Sequence, residues 1–236
     1  MKKIIVFLIT ILTVTLCACT SEKESKTSDV KDVAVLSDYI EYEYAPLKKA
    51  SDLIVKAEIQ DDLSEKNGVI ERDSDDPGSI ANFYAVRKIK ILDVYAGKEK
   101  VKAGDTIKII EDAAKDEECY YHGENYKSLK KGEEYILFLN NDNAAGEYSI
   151  ISADNGKVCT SDFQDMQDLN DNNFDIAVKT LAEFDSDLDE QEKAKIINGK
   201  VYRSMNNAAS GHEIDLTSGV MEYDFTDKGI AVSLKE

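Results

Sequence analysis

Several short segments between residues 53 and 160 predict β-strands, because they are rich in β-branched residues, alternate between apolar and polar positions, or are continuously apolar. The strand segments are residues 53–59, 83–95, 106–110 and 134–139. Within the second segment the apolar residues move from one face to the other near Leu92, and a β-bulge at that position accounts for the change. The fourth segment is continuously apolar after Glu134, so this strand is expected to be buried on both faces.

Turn and loop signals lie around these strands. Residues 46–50 favour one short helical turn, and residues 60–79 read as a long acidic loop that is expected to be exposed. Two further short strands, 147–153 and 156–160, flank Asp154-Asn155-Gly156, which is a typical hairpin signal. The chain up to residue 160 is therefore predicted to be mainly β.

After residue 161 the apolar period becomes helical. One apolar stripe recurs at spacings of 3, 4, 3 and 4 and consists of Phe174, Ala177, Leu181, Phe184 and Leu188. Aspartates at 185, 187 and 189 divide this stripe into two helices, the second of which ends at Gly199. Residues 220–225 and 229–234 then alternate again and predict a C-terminal β-hairpin.

The first twenty residues have the pattern of an export signal. Lys2 and Lys3 precede an apolar stretch from 4 to 16, which is shorter than the run of about 20 residues that a transmembrane helix needs. The string Leu16-Cys17-Ala18-Cys19 resembles the lipobox of bacterial lipoproteins, which implies cleavage before Cys19 and a diacylglyceryl thioether on its sulfur. Two acyl chains then anchor a protein stably to a membrane. A plain secretory peptide cut near Ala18 is the alternative.

Four strings resemble a set of uncharacterised exported proteins of Gram-positive bacteria, namely residues 51–55, 92–97, 104–109 and 129–139. The resemblance covers roughly residues 36–160 and implies a small closed β-barrel of OB-like or netrin-module-like topology. The matching residues are strand positions and turn glycines, so the resemblance implies a fold and not a function. The predicted fold is mainly β (α+β): a small closed OB-like β-barrel with a helical segment and a C-terminal β-hairpin.

These patterns divide the chain into four parts. Residues 1–18 are the predicted lipoprotein signal peptide, and residues 19–35 are a polar tether. Residues 36–160 form the OB-like barrel, and residues 161–236 form the helical segment and the hairpin, which are expected to pack on the barrel.

The net charge of the chain argues against one class of partner, the nucleic acids. Asp and Glu number 47 against 29 Lys and Arg, which gives a formal net charge of −18 at pH 7. Phosphate groups are repelled by such a surface, so no nucleic acid partner is expected. Contact with a membrane is expected through the N-terminal lipid.

Two of the four cysteines, Cys119 and Cys159, remain in the folded part once the leader is removed and Cys19 is lipidated. Outside the cytosol such a pair can form a disulfide, and two independent cysteines are the alternative. A catalytic thiol is disfavoured, because neither His122 nor His212 stands in a recognisable protease context.

Few residues point to a chemical site. The acidic strings at 168–175 and 185–190 fail the EF-hand spacing, so neither a metal site nor a cofactor is predicted. Tyr120, Tyr121 and Tyr126 lie in a predicted loop between strands, where aromatic side chains can serve as binding anchors. Packing at a sheet edge is the alternative for these tyrosines.

The sequence thus favours a lipid-anchored extracytoplasmic protein that acts as a non-enzymatic binding or interaction module. Its expected partner is a protein, a peptide or an envelope polymer. Two alternatives from other classes are an envelope hydrolase that uses carboxylates and a calcium-dependent accessory factor. Carboxylates are too numerous here for sequence alone to single out a catalytic pair.

Overall fold

The structure is a computed structural model, and it describes residues 30–36, 39–124, 126–141, 146–160, 171–202, 212–216, 219–226 and 229–234. The predicted signal peptide, Cys19 and most of the predicted tether lie outside these residues. Among the helices of the described part, none has the length and apolar character needed to cross a membrane.

Five strands close a β-barrel, and the described part of the chain is mainly β, as predicted, with three α-helices. Around the barrel, each bonded to the next, they are β2 (Leu53–Ile59), β4 (Ile80–Ala96), β5 (Thr106–Glu111), β9 (Tyr148–Ile150) and β8 (Glu134–Asn140), which returns to β2. All neighbours are antiparallel except β5 and β9. If the five barrel strands are numbered 1 to 5 in chain order, their order around the ring is 1-2-3-5-4. This is the OB-like arrangement that was expected.

The β-bulge predicted at Leu92 is present in β4. Lys56 of β2 pairs with Asp93 and the next residue, Ala57, pairs with Ile91, so Leu92 is left without a partner across the strands. The extra residue changes the alternation of β4, because side-chain direction along a strand has a period of two. Ile91 and Val94 therefore both belong to the apolar cluster of the barrel interior.

Strand β8 is buried on both faces, as its continuous apolar run predicted. Leu137 and Leu139 belong to the cluster in the barrel interior. Ile136 and Phe138 belong to a second cluster outside the barrel, which also contains Leu47 from α1 (Tyr44–Ala50) and much of α2 (Asp171–Phe184). The barrel wall is therefore shared by two cores, and this attaches α1 and α2 to its outer surface.

A separate three-stranded sheet adjoins the barrel. Its central strand β7 (Cys119–Gly123) pairs in parallel with β1 (Lys31–Val35) and antiparallel with β6 (Ala113–Lys115). One face of this small sheet packs against Phe83 and Ile70, which lie on β4 and on β3 (Gly68–Arg72). We call this three-stranded sheet the small sheet.

Two sequence predictions are corrected by these strands. Residues 31–35, placed in the polar tether, form β1, because Val33 and Val35 find apolar cover beneath the small sheet. The loop predicted over residues 60–79 contains β3, which pairs with the first part of β4. The partner of β1 is far away in the chain, so local alternation does not reveal it, whereas β3 pairs with β4, the next strand of the chain.

The hairpin predicted around residues 154–156 is also wrong. A 3₁₀ turn occupies Ala153–Gly156, and the strands on either side, β9 and β10 (Lys157–Cys159), both pair with β8 instead of with each other. The turn needs glycine at 156, because a Cβ there would collide with the carbonyl oxygen of Ile151.

The predicted division into two helices is confirmed. Helix α2 ends at Phe184 and α3 (Glu190–Asn198) follows, with Gly199 after its last turn. Asp189 caps α3 by accepting from the backbone N–H groups of Gln191 and Glu192, while the Glu192 side chain accepts from the backbone of Asp189.

The predicted C-terminal hairpin is confirmed within a larger antiparallel sheet. Strands β13 (Gly219–Thr226) and β14 (Gly229–Leu234) pair with Tyr223 opposite Val232. Strands β11 (Lys200–Tyr202) and β12 (His212–Leu216), which the sequence did not predict, extend this sheet.

The role of Phe138 as the link between barrel and helices is testable. Phe138→Ala should lower the free energy of unfolding by about 3 to 5 kcal/mol, because the side chain is fully buried among α1 and α2. Urea denaturation of the full chain measures this change. The control Lys90→Ala, on the exposed side of β4, should change the value by less than about 0.5 kcal/mol. A loss below about 1 kcal/mol for Phe138→Ala would contradict this packing.

Candidate functional site

A short segment between β7 and β8 lies across one end of the barrel. This segment, residues 126–130, is called the strap here. Leu129 of the strap is buried and belongs to the apolar cluster of the barrel interior. Its backbone therefore needs internal hydrogen-bond partners, since buried backbone groups are almost always paired. Charged side chains supply these partners.

The first charged pair consists of Arg87 on β4 and Glu111 on β5, whose side chains are both fully buried. The Arg87 guanidinium forms an ion pair with Glu111 and also donates from Nε to Asp61 Oδ1 over 3.0 Å. Glu111 Oε1 accepts from the backbone N–H of Leu129 over 2.6 Å, and Arg87 Nη2 donates to the Leu129 carbonyl over 3.3 Å. Both backbone groups of Leu129 are thus satisfied by one ion pair.

Burial raises the pKa of Glu111, while the positive charges of Arg87 and Lys157 act in the opposite direction. A carboxylate held in such a place needs its hydrogen bonds, because an uncompensated buried charge is strongly destabilising. The strap and the ion pair therefore depend on each other.

A second charged pair holds the other end of the strap. Lys157 on β10 forms a 2.8 Å ion pair with Asp154 and donates to the carbonyl of Lys127. Asp154 accepts from the backbone N–H of Lys127 over 3.3 Å. The Lys157 ammonium lies 3.3 Å from the centre of the Tyr126 ring, a cation–π contact. Burial lowers the pKa of Lys157, and the charges of Asp154 and Glu111 oppose this shift.

A groove of about 390 Å³ lies between the strap and the outer face of the small sheet. Its lining residues come from the start of the described chain, from the loop after β2, from β6 and β7, and from the strap: Val30, Asp32, Leu63, Lys115, Tyr120 and Ser128. Because the strap forms one wall, the buried pair of Arg87 and Glu111 and the partly buried pair of Lys157 and Asp154 also fix the shape of the groove. We call this feature the groove.

Three of the lining residues form one row across the small sheet. Tyr120 on β7 is opposite Asp32 on β1 and opposite Lys115 on β6, so the three side chains lie on the same face. The Tyr120 hydroxyl is 2.7 Å from the Ser128 hydroxyl of the strap. His122, two residues further along β7, stacks on the Tyr120 ring at 4.8 Å and lies 2.7 Å from Asp32.

Lys115 differs from the other charged residues of this region. Asp32 is bonded to His122, and the buried charges all hold the strap. The Lys115 ammonium has no ion-pair partner in the part of the chain that the structure describes. The groove therefore presents an aromatic ring and two hydroxyl groups, with a positive charge on one side and a negative charge on the other.

The prediction that Tyr120, Tyr121 and Tyr126 form a binding surface is wrong for two of the three residues. Tyr121 and Tyr126 are each only 5 % exposed, and Tyr120 alone of the three lines the groove. Tyr120 and Tyr121 belong to strand β7 instead of a loop, so their side chains point to opposite faces of the small sheet. Tyr121 packs against Phe83 beneath the sheet, and Tyr126 lies under the Lys157 ammonium. Burial raises the pKa of Tyr120 and of Tyr126.

No disulfide joins Cys119 and Cys159 in the structure. Cys119 packs in the cluster beneath the small sheet, whereas Cys159 on β10 packs with the cluster of the barrel interior. The reading as two independent cysteines fits this arrangement. Cys19 lies outside the described residues, so its lipidation stays a prediction.

The acidic strings considered for calcium have other roles where they are described. Asp185 forms a 2.9 Å ion pair with Lys56, and Asp189 caps α3. In the string at 168–175, residues 168–170 lie outside the described residues and the other five begin α2, where Asp175 forms a 2.9 Å ion pair with Lys179. Among the residues that the structure describes, no three His, Cys, Asp or Glu side chains are placed to hold a metal ion.

The sequence reasoning did not identify the charged residues of this site. Arg87 lies at an inward position of β4 between Ala85 and Ile89, and Glu111 follows Ile109 on the inward side of β5. A charge in the inward register of an apolar strand is rarely found without a partner. The inward position of these two charges was the signal in the sequence that could have identified the first charged pair.

No protein family, curated protein or solved structure matches the chain.

The mutual dependence of Arg87 and Glu111 can be tested by a double-mutant cycle. Arg87→Met should lower the free energy of unfolding by about 3 to 5 kcal/mol at pH 7, because Glu111 is left buried without its cation. Adding Glu111→Leu to Arg87→Met should recover part of that loss. Urea denaturation of Arg87→Met, Glu111→Leu and the double variant measures the coupling between the two residues.

The matched control is a surface ion pair. Lys131→Met removes the 3.2 Å contact with Asp62, in which both side chains are more than half exposed, and should change stability by less than about 1 kcal/mol. Equal losses for Arg87→Met and Lys131→Met would show that the buried pair has no special role.

Proposed function

We propose that this protein is a lipid-anchored extracytoplasmic binding module that takes its ligand in the groove and catalyses no reaction. The lipobox-like string that ends at Cys19 supports the anchor, since the thioether requires a cysteine at that position. The observation that carries the binding function is the groove itself, whose strap wall is fixed by one buried and one partly buried charged pair. The chain's resemblance to exported Gram-positive proteins is part of the same proposal.

A fixed groove favours binding because less conformational entropy is lost when the ligand arrives. The strap is held through the backbone of Lys127 and Leu129, and Ser128 between them lines the groove. Tyr120 is held from two sides, by the Ser128 hydroxyl and by the stacked His122 ring. The binding surface is thus built before any ligand is present.

Binding is better supported than hydrolysis by the placement of the carboxylates. A glycosidase needs two carboxyl groups on opposite sides of a bond that is to be cleaved. Among the described residues that line the groove, Asp32 is the one carboxylate. Glu111 is fully buried and already accepts hydrogen bonds from the strap, so it serves structure.

The anchor and the groove are close together along the chain. The 12 residue steps from Cys19 to Lys31 span at most roughly 43 Å at about 3.6 Å per residue. Val30 and Asp32, at the start of the described chain, line the groove. The tether therefore joins the folded body at the rim of the groove, and the ligand is bound near the membrane.

The anchor is tested in the cells that produce the protein. Mass spectrometry of the membrane fraction should find an N-terminal Cys19 carrying a diacylglyceryl group, and Cys19→Ser should abolish this modification and release the protein from the membrane. Cys17→Ser is the matched control and should leave lipidation intact, because the position two residues before the lipidated cysteine tolerates substitution. A wild-type protein with a bare Cys19 thiol would overturn the anchor.

The binding role of the groove is tested separately. A photoreactive amino acid placed at position 63 of the lipidated protein, where an uncharged side chain lines the groove, should crosslink an envelope component. The same group at position 90 on the exposed side of β4 should not. Equal crosslinking from both positions, or none from position 63, would argue against the groove as the binding site.

A further inference from the structure

The row of Asp32, Tyr120 and Lys115 gives the groove a charge pattern. These residues are directly opposite one another on three adjacent strands, with the tyrosine in the centre. Because neighbouring strands are about 4.8 Å apart, the backbones of Asp32 and Lys115 are separated by roughly 10 Å. A negative and a positive group are therefore offered at opposite sides of one aromatic ring.

Each charged group can accept a ligand. Lys115 is half-buried and has no ion-pair partner in the described ranges, so an anionic group would meet an ammonium that no described side chain neutralises. Asp32 is bonded to His122, but its side chain is 73 % exposed and a carboxylate accepts several donors. A cationic group can thus bind Asp32 without displacing the histidine.

The net charge of the protein restricts the ligand further. With a formal net charge of −18, the chain repels molecules with a net negative charge, although Lys115 would attract an anionic group. A ligand that carries one negative and one positive group meets both conditions. Such a zwitterion also matches the opposite charges at the two sides of the groove.

Size and apolar lining define the kind of zwitterion. Three extended residues of polypeptide span about 10 Å, which is similar to the distance between the backbones of Asp32 and Lys115. The volume of about 390 Å³ lies in the range of small-molecule sites. Val30 and Leu63 line the groove together with the Tyr120 ring, so an apolar side chain in the middle of the ligand would be covered.

We propose that the groove binds a short peptide of about three residues with both termini free, the ammonium group at Asp32 and the carboxylate at Lys115. The inference rests on the proposed function of the groove as a binding site and names its ligand class. The central residue of the peptide is apolar and packs on Tyr120.

Three forms of the same peptides test the charge requirement. Ala-Leu-Ala and Ala-Phe-Ala with free termini should bind the full-length protein in detergent, as measured by isothermal titration calorimetry. Acetylation of the N-terminus or amidation of the C-terminus should weaken binding about tenfold or more, because each removes a charged hydrogen-bonding group.

Variants locate the binding site. Lys115→Met should weaken binding of the free peptides by a similar factor but leave the already weak binding of the amides unchanged, because the amides lack the group that Lys115 binds. Lys90→Met removes an exposed lysine outside the groove and should bind the free peptides like the wild type. If Lys115→Met does not fold, the comparison of free and blocked peptides on the wild type remains decisive.

Equal affinity for free and blocked peptides, or no binding of any of them at millimolar concentration, would overturn the peptide proposal. This result is distinguishable from a failure of the proposed function. Crosslinking from position 63 in cells, combined with no peptide binding, would retain the groove and reject its ligand class.

Discussion

The interaction on which this site depends is the ion pair between Arg87 and Glu111 inside the end of the barrel. Neither side chain is exposed, and together they satisfy both backbone groups of Leu129. Without them, a strap residue that fills the barrel end would leave its own amide and carbonyl unpaired, which is costly in an apolar interior. The buried side chain of Leu129 and the charged pair thus stabilise one another.

The groove is a consequence of this arrangement. The strap has a fixed path because charged side chains hold it at Lys127 and at Leu129, and Ser128 between them faces Tyr120. The opposite wall comes from the small sheet, which is held to the barrel by the cluster around Phe83 and Tyr121. A surface of mixed polarity is therefore kept in one shape by interactions that lie beneath it.

The sequence predicted the parts of the fold that depend on local alternation. Strand β2 has the predicted bounds, and the bulge at Leu92 follows from a change of phase that is visible in the residues themselves. Strands β1 and β7 could not be found in this way, because each has only five residues and their pairing with each other joins distant parts of the chain. The burial of Tyr121 was missed for the same reason.

The charged site could not be predicted without knowing the register between β4 and β5. Ala85 pairs with Glu111 and Arg87 with Ile109, so Arg87 and Glu111 are diagonal neighbours on one face only once β4 and β5 are aligned. The role of Lys157 depends on a 3₁₀ turn where a hairpin was predicted. Residue types alone therefore did not separate these charges from the many acidic and basic residues of the surface.

Hydrogen exchange at the Leu129 amide tests the central claim most directly. If Glu111 holds this N–H inside the barrel end, the amide should exchange only when the whole protein unfolds, with a free energy of opening that falls with urea as global stability does. Fast exchange that is independent of urea would show that the strap opens locally. The buried ion pair would then not determine the shape of the groove.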